Sequence, residues 1–294
     1  MRMRSVSRRV ARHHPWRWLH GCASAALGLG VVLALAGCAG GLPSQASVTP
    51  EIRADSRPDI LTASDEGEAR RRARIRLELA TTYYAQGQFN TALDELKQAV
   101  AIDPSLPAAH EMRALIYDAM GDNERADTSF RQALALDPSN VSVLHNRAWS
   151  LCRRAQYPEA DAVFARALSL PPSQTIPTSK TFLARGVCQV RAGLLAEGEK
   201  SLVRAYELDP ASPATGYNLA AVLTRQGELD RARFYVRRIN NVPEQATSES
   251  LWLAIRIEHR LGNIAARDEL ATQLRRRFLG SREATALELG RYDE

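Results

Sequence analysis

Histidine is scarce in this sequence of 294 residues, and after residue 38 it occurs only as His110, His145 and His259. These three are far apart and lack the close spacing of metal ligands. The sequence also lacks a glycine-rich phosphate loop, a nucleophile elbow and a distinctive pair of acidic residues. We therefore expect no catalytic residue, no metal site and no cofactor, and a function other than that of an enzyme.

Lysine, aspartate and glutamate are absent from residues 1–37, which hold six arginines. The formal net charge of the whole chain is +6, so the rest of the chain carries no net charge. Proteins that bind nucleic acid present a basic surface on their folded domain. Because the excess positive charge lies in the N-terminal segment, we expect no nucleic-acid partner.

The N-terminal segment contains an apolar run of 15 residues, Ala23–Gly37. A helix that spans a membrane needs about 20 residues, whereas the apolar core of a signal peptide is shorter. The run leads into four residues that resemble a bacterial lipobox: Leu35, Ala36, Gly37 and Cys38. The resemblance implies that the signal peptide, residues 1–37, is removed and that Cys38 is lipidated through its nucleophilic thiolate. The alternative is an uncleaved anchor helix with an incidental cysteine.

Residues 38–68 connect the lipobox to the rest of the chain. Ala39, and not aspartate, follows Cys38, which in lipoprotein sorting favours the outer membrane. The segment is rich in Gly, Ser, Pro and Ala and has no sustained period of a helix or a strand. We expect a flexible tether that holds a lipid-anchored domain on the periplasmic side of the outer membrane.

Beyond Glu68 the sequence repeats with a period of 34 residues, in five columns across three units. The columns are Ala80, Ala114 and Ala148; Ala92, Ala126 and Ala160; Ala99, Ala133 and Ala167; Leu96, Phe130 and Phe164; and Pro104, Pro138 and Pro172. This period identifies the tetratricopeptide repeat, a pair of antiparallel helices, A and B. Small alanines let the two helices approach closely, Gly87 ends helix A, and the Asp103-Pro104 step ends helix B.

The period predicts an all-α fold, a tetratricopeptide-repeat solenoid over residues 69–280. We expect about six helix pairs, the last of them a degenerate cap, at residues 73–106, 107–140, 141–176, 179–212, 213–246 and 248–280. Pro210 follows Pro172 by 38 residues, so the loop before the fourth unit is four residues longer than the period requires. The tail, residues 281–294, is expected to add a short helix.

In this family the A helices line a concave groove that binds partner proteins. The family's pattern places twelve residues of this chain there: Leu77, Tyr84, Glu111, Leu115, Asp118, His145, Trp149, Arg153, Leu183, Arg191, Tyr217 and Arg225. Trp149 and Tyr84 are candidate aromatic anchors. Arg153, Arg191 and Arg225 occupy the same position in three successive units. They either form a cationic ladder, a row of cations that binds carboxylates of a partner, or are charged because the groove is exposed to water.

Two cysteines, Cys152 and Cys188, lie on the A helices of the third and fourth units. These helices are neighbours in a solenoid, and the periplasm is oxidising. We expect a disulfide if the two Cα atoms approach within about 7 Å. The alternative is a pair of buried, small apolar side chains.

The segments around these cysteines resemble the type IV pilus biogenesis and stability lipoproteins, the pilotins. In that family an asparagine pair precedes an aromatic residue, a leucine and a cysteine, and a second cysteine follows in the next repeat. Four residues match this pattern: Asn146, Leu151, Cys152 and Cys188. His145 replaces the first asparagine, and Ala148 replaces a common glycine.

The resemblance covers the lipobox and residues 69–278. It implies an outer-membrane lipoprotein of six repeats that binds the pilus secretin and promotes its localisation and multimerisation. We expect this protein to be a monomer. The rival hypothesis is a general periplasmic scaffold lipoprotein of the same fold that recruits peptidoglycan enzymes.

Replacement of Cys38 by serine tests the lipobox. Cys38→Ser removes the thiol that accepts the lipid but leaves the repeats intact, so we expect a folded domain that stays in the periplasm or the inner membrane. Membrane fractionation followed by immunoblotting measures this distribution. Recovery of the variant in the outer membrane, at the level of the parent protein, would refute lipidation at Cys38.

Overall fold

The computed structural model describes residues 63–292, so the signal peptide, Cys38 with its lipobox and most of the tether lie outside the described residues. The described part of the chain forms thirteen α-helices and no strand. The helices are α1 (Ala63–Ala85), α2 (Phe89–Ile102), α3 (Pro107–Ala119), α4 (Asn123–Leu136), α5 (Val141–Arg153), α6 (Tyr157–Leu168), α7 (Thr178–Arg191), α8 (Leu195–Leu208), α9 (Pro213–Gln226), α10 (Leu229–Asn240), α11 (Ser248–Arg260), α12 (Ile264–Arg277) and α13 (Arg282–Glu288).

The first twelve helices are arranged in consecutive pairs. Each odd-numbered helix packs against the even-numbered helix that follows it, and it also contacts the next odd-numbered helix. The backbones of successive even-numbered helices of the described chain lie farther apart, and side chains join α8 to α10, where Tyr206 meets Tyr235 with 5.0 Å between the ring centroids and Arg231 pairs with Glu199 at 2.7 Å. The odd-numbered helices therefore form the inner layer and the even-numbered helices the outer layer of a solenoid. This arrangement confirms the predicted all-α tetratricopeptide-repeat fold.

The two helices of a unit are joined by a turn in the left-handed region of the backbone. Gly87 adopts φ 73° after α1, a conformation that glycine accepts without a steric cost. In the third unit Ala155 stands at the same place with φ 59°. Helix B ends at the Asp-Pro step: α2 stops at Ile102, and the carboxylate of Asp103 accepts a hydrogen bond from the backbone N–H of Ser105 at 2.9 Å.

Small residues set the distance between the two helices of each unit. Six fully buried alanines lie at these crossings in the first three units: Ala80, Ala92, Ala114, Ala126, Ala148 and Ala160. In the fourth unit glycine takes both positions, as Gly186 on α7 and Gly198 on α8. A Cβ atom added to Gly186 would lie 2.7 Å from Cγ of Leu202 and 3.0 Å from the carbonyl oxygen of Gly198. This crossing is too close even for alanine.

The N-terminal end of the domain differs from the predicted outline. Helix α1 begins at Ala63, so it includes the last residues of the segment 38–68 that the sequence assigns to the tether. The apolar period of a repeat is missing there, which is why the pattern does not reveal the helix. Alanine, glutamate and arginine favour helix nevertheless, and Arg72 pairs with Glu68 one turn away at 3.7 Å.

The C-terminal end contains the short helix that the sequence suggests for the tail. Helix α13 packs on α11 and α12, where Ala284 and Leu287 are buried. Tyr292 follows it and stacks on Trp252, with 5.8 Å between the ring centroids. The tail therefore covers an apolar surface that the last helix pair presents at its end.

The close crossing of α7 and α8 predicts that Gly186→Ala destabilises the domain. The added methyl group forces Leu202 or the backbone of α8 to move, so we expect the free energy of unfolding to fall by about 1–2 kcal/mol. Gly67→Ala is the matched control, because a Cβ atom at Gly67 meets nothing within 4 Å. The control should leave stability unchanged or raise it by up to about 1 kcal/mol. Urea unfolding followed by circular dichroism measures both, and equal midpoints would contradict the tight crossing.

Candidate functional site

The inner face of the solenoid is built by α1, α3, α5, α7, α9 and α11. All twelve residues predicted for the groove lie on the first five of these helices. The side chains of Tyr84, Leu115, Trp149 and Tyr217 are half-buried. Leu115 packs on the apolar core beneath α3, and Tyr84 contacts Phe89 with 5.9 Å between the ring centroids. Trp149 and Tyr217 border open pockets of the inner face.

Two acidic residues of α3 connect it to α5. The carboxylate of Glu111 accepts hydrogen bonds from Ser142 at 2.6 Å and from Asn146 at 2.7 Å. The carboxylate of Asp118 accepts one from Ser150 at 2.5 Å. Hydrogen bonds of this kind satisfy partly buried carboxylates and fix the stacking of neighbouring repeats. These two predicted groove residues therefore serve the contact between inner helices.

Two arginines of the predicted ladder also stabilise this stacking. Arg153 forms an ion pair with the carboxylate of Asp118, and its guanidinium lies 3.4 Å from the carbonyl oxygen of the same residue. Arg225 donates a hydrogen bond to the carbonyl of Val190, also at 3.4 Å. A positive charge is favourable at the C-terminal end of a helix. The hypothesis of a free cationic ladder is therefore corrected at Arg153 and Arg225, which cap the preceding inner helix.

Arg260, on α11, has the same role and was not among the predicted residues. It donates to the carbonyl of Thr224 at 2.8 Å. It follows Arg225 by 35 residues, which is close to one repeat period, so the spacing in the sequence could have identified it. The weak repeat pattern of the sixth unit concealed it.

Arg191 has a different environment from the other two arginines. Its guanidinium carbon lies 5.1 Å from the centroid of the Trp149 ring, which is the geometry of a cation–π contact. In the described part of the chain it has neither a carboxylate nor a carbonyl as a hydrogen-bond partner. Its remaining N–H donors are therefore available to a ligand.

Trp149 and Arg191 border a pocket of about 550 Å³ between α5, α7 and α9. This volume lies within the range of pockets that bind ligands, roughly 300–1,000 Å³. The lining is apolar at Trp149, Leu183, Ala184 and Val187, and polar or charged at His145, Ser179, Lys180, Arg191, Asp209, Ser212, Thr215 and Asn218. Four of the twelve residues predicted for the groove are thus brought together around one cavity: His145, Trp149, Leu183 and Arg191.

His145 forms part of the wall of this pocket and is uncharged. Its Nδ1 atom lies 3.1 Å from the hydroxyl oxygen of Thr181, and its ring meets the ring of Phe164 edge-on at 6.0 Å. Burial lowers the pKa of His145 to about 4, and the positive charge of Lys180 contributes to the same shift. The imidazole is therefore neutral at ordinary pH.

A second pocket, of about 410 Å³, lies next to the first between α9 and α11. Tyr217 borders it together with Ile239 and Glu249. Burial raises the pKa of the Tyr217 hydroxyl, and the nearby charge of Glu249 adds to the shift. The hydroxyl therefore stays protonated and can donate a hydrogen bond.

Cys152 and Cys188 join α5 to α7 as a disulfide in this structure. Their Cα atoms are 5.8 Å apart, and both side chains are only 2% exposed. The long loop between α6 and α7, residues 169–177, accounts for the separation of 36 positions between the two cysteines. The disulfide thus connects two of the three helices that form the larger pocket.

Residues 63–292 contain no group of three His, Cys, Asp or Glu side chains that could hold a metal ion. Over the same range, no helix is long and apolar enough to cross a membrane. The candidate site is the inner face with its two neighbouring pockets.

Acidification should destabilise the domain through His145. Because the pKa falls from 6.5 to about 4 on folding, the unfolded chain binds this proton at higher pH than the folded domain does. The stability that the neutral ring contributes is present above pH 6.5 and is lost as pH falls towards 4. Between pH 7 and pH 5 we expect a loss of about 2 kcal/mol.

Chemical unfolding of the wild type and of His145→Gln at pH 7 and pH 5 measures this loss. Glutamine has no ionisable group at this position. The free energy of unfolding of the variant should therefore fall by about 2 kcal/mol less than that of the wild type between pH 7 and pH 5. Identical pH dependence of the two proteins would contradict a neutral, half-buried His145.

Three family models match the chain in the region of the first repeats. One is described as a TPR repeat and covers residues 80–121, and two are described as tetratricopeptide repeats and cover residues 107–140 and 129–162. No curated protein matches the sequence.

Several solved structures are similar to this chain. PilW, a widely conserved type IV pilus biogenesis factor, is 29% identical with a TM-score of 0.66, over 73% of this chain and 97% of PilW. PilF of Pseudomonas aeruginosa is 24% identical with a TM-score of 0.63, over 76% of this chain and 99% of PilF. YrrB, a TPR protein with an unusual peptide-binding site, is 18% identical with a TM-score of 0.51, over 66% of this chain and 97% of YrrB. The chain thus has the tetratricopeptide-repeat fold, and its solenoid is similar to that of a type IV pilus biogenesis factor.

Proposed function

We propose that this protein is an outer-membrane lipoprotein that binds the type IV pilus secretin and promotes its localisation and multimerisation. The observation that carries the proposal is the similarity to PilW, which extends over 97% of that chain at 29% identity. A tetratricopeptide-repeat fold supports protein binding in general. The pilotin-like segment around Cys152 and the lipobox at Cys38 support the finer assignment.

The inner face is suited to an extended segment of a partner protein. Two neighbouring pockets, of about 550 and 410 Å³, follow one another along α5, α7, α9 and α11. Trp149 and Tyr217 give each pocket an aromatic wall, and rigid aromatic side chains lose little conformational entropy on binding. This protein would bind here as a monomer. An extended segment of a secretin subunit would lie along the inner face, with successive side chains of that segment in the two pockets.

The lipid anchor would place this surface close to the membrane in which the secretin assembles. The chain between Cys38 and Ala63 can reach roughly 80 Å when extended. The acyl chains on Cys38 would hold the protein stably to the periplasmic leaflet. The tether would then let the repeats meet secretin subunits over a large area before the pore forms.

Deletion of the gene tests the proposal. We expect the loss of heat-stable secretin multimers from the outer membrane and the loss of twitching motility, both restored by a plasmid copy of the wild type. Immunoblots of unboiled membrane fractions measure the multimers. Normal multimers in the deletion strain would overturn the proposal, and normal multimers with an altered cell shape would favour the peptidoglycan scaffold.

A further inference from the structure

The pocket between α5, α7 and α9 combines an apolar wall with two cations. Trp149, Leu183 and Val187 provide the apolar surface. Lys180 lies near the N-terminal end of α7, and Arg191 is the last residue of the same helix. At a rise of 1.5 Å per residue their Cα atoms are about 16 Å apart, and both residues line the pocket.

Neither cation is neutralised by an acidic partner in the described part of the chain. Lys180 is exposed and forms no ion pair there, and Arg191 contacts the ring of Trp149. Asp209 is the single carboxylate among the residues that line the pocket, and it forms no ion pair with either of them. By contrast, Arg153 is paired with Asp118. The pocket therefore retains a positive charge that internal contacts do not use.

The position of Lys180 is unfavourable for the helix itself. It lies in the first turn of α7, where the helix dipole disfavours a positive charge, and no acidic residue accompanies it in that turn. It also lies close enough to His145 to disfavour protonation of the imidazole. Lys180 therefore stabilises neither α7 nor a protonated His145. An anionic ligand would account for a lysine at this position.

We infer that this pocket binds a peptide segment in which a bulky apolar side chain is flanked by carboxylates. The apolar side chain packs against Trp149 and Leu183, and the carboxylates pair with Lys180 and Arg191. The contact with Trp149 holds the guanidinium of Arg191 in place, so less rotamer entropy is lost when it binds a carboxylate. The inference rests on the proposed function only in taking the secretin as the source of the segment.

The neutral state of His145 sharpens the expected selectivity. Without a third positive charge, the preference for acidic peptides depends on Lys180 and Arg191 alone. Because the pocket is open to solvent, both ion pairs are screened, and affinity for an acidic peptide should fall as salt is added. An apolar segment without acidic residues would bind without this salt dependence.

Selection from a random dodecapeptide library displayed on phage, against the purified full chain in detergent, tests this chemistry. We expect enriched peptides with Leu, Phe, Ile or Trp and with Asp or Glu within three positions on either side. Synthetic copies of the enriched peptides, labelled with fluorescein, then give dissociation constants by anisotropy. Enrichment of basic or uncharged peptides, or no enrichment, would overturn the inference.

Matched variants locate the binding site. The double variant Lys180→Gln and Arg191→Gln should weaken binding of the enriched acidic peptide by roughly tenfold or more and remove its salt dependence. The control is Lys97→Gln with Arg131→Gln, which removes the same two charges from exposed positions on α2 and α4. Binding that falls equally in both double variants, or in neither, would overturn the assignment to this pocket.

A secretin assay separates this inference from the proposed function. The pocket variant, expressed in the deletion strain, should yield fewer heat-stable secretin multimers than the control variant. If the pocket variant loses the acidic peptide but supports normal multimers, the pocket chemistry stands and the secretin is not its ligand. If deletion removes the multimers but the pocket variant retains peptide affinity, the proposed function stands and the pocket inference is wrong.

Discussion

The close crossing of the two helices in each unit is the constraint on which the solenoid depends. In the first three units both helices of a pair carry a fully buried alanine at the corresponding position, and in the fourth these positions are Gly186 and Gly198, where even a methyl group does not fit. Because the helices of a pair approach so closely, the next pair can stack on them with its own inner helix in contact. The inner face is a consequence of this stacking, since the backbones of neighbouring odd-numbered helices approach one another closely and those of neighbouring even-numbered helices do not.

Stacking also determines which charges of the inner face remain available. Glu111 and Asp118 are held by side chains of α5, and Arg153 pairs with Asp118. Arg225 reaches the end of the preceding inner helix. Lys180 and Arg191, which have no acidic partner in the described part of the chain, lie at the pocket between α5, α7 and α9, and the disulfide joins two of these three helices. The disulfide therefore joins helices of the same pocket that holds this unused charge, which suits a site for a charged segment.

The repeat period was sufficient to predict the fold, because packing imposes the same small or large residue every 34 positions. It was not sufficient at the first helix, whose beginning at Ala63 rests on local propensity and carries no apolar period. The twelve residues predicted for the groove lie on the inner helices, since position within a unit determines whether a residue falls on helix A. Their roles were harder to predict, because Arg153, Arg191 and Arg225 share one column and yet have three different partners.

Local pattern therefore accounts for the helices, their pairing and the side of the solenoid on which each residue lies, because these follow from the spacing of small, apolar and turn residues along the chain. Three-dimensional packing was needed to show that Asp118 neutralises Arg153 while Arg191 rests on Trp149 and Lys180 has no acidic partner. A hydrogen bond or ion pair between two repeats forms only when a group of one repeat comes within about 3 Å of a group of the other. That distance depends on how neighbouring repeats stack, and the one-dimensional pattern does not contain it.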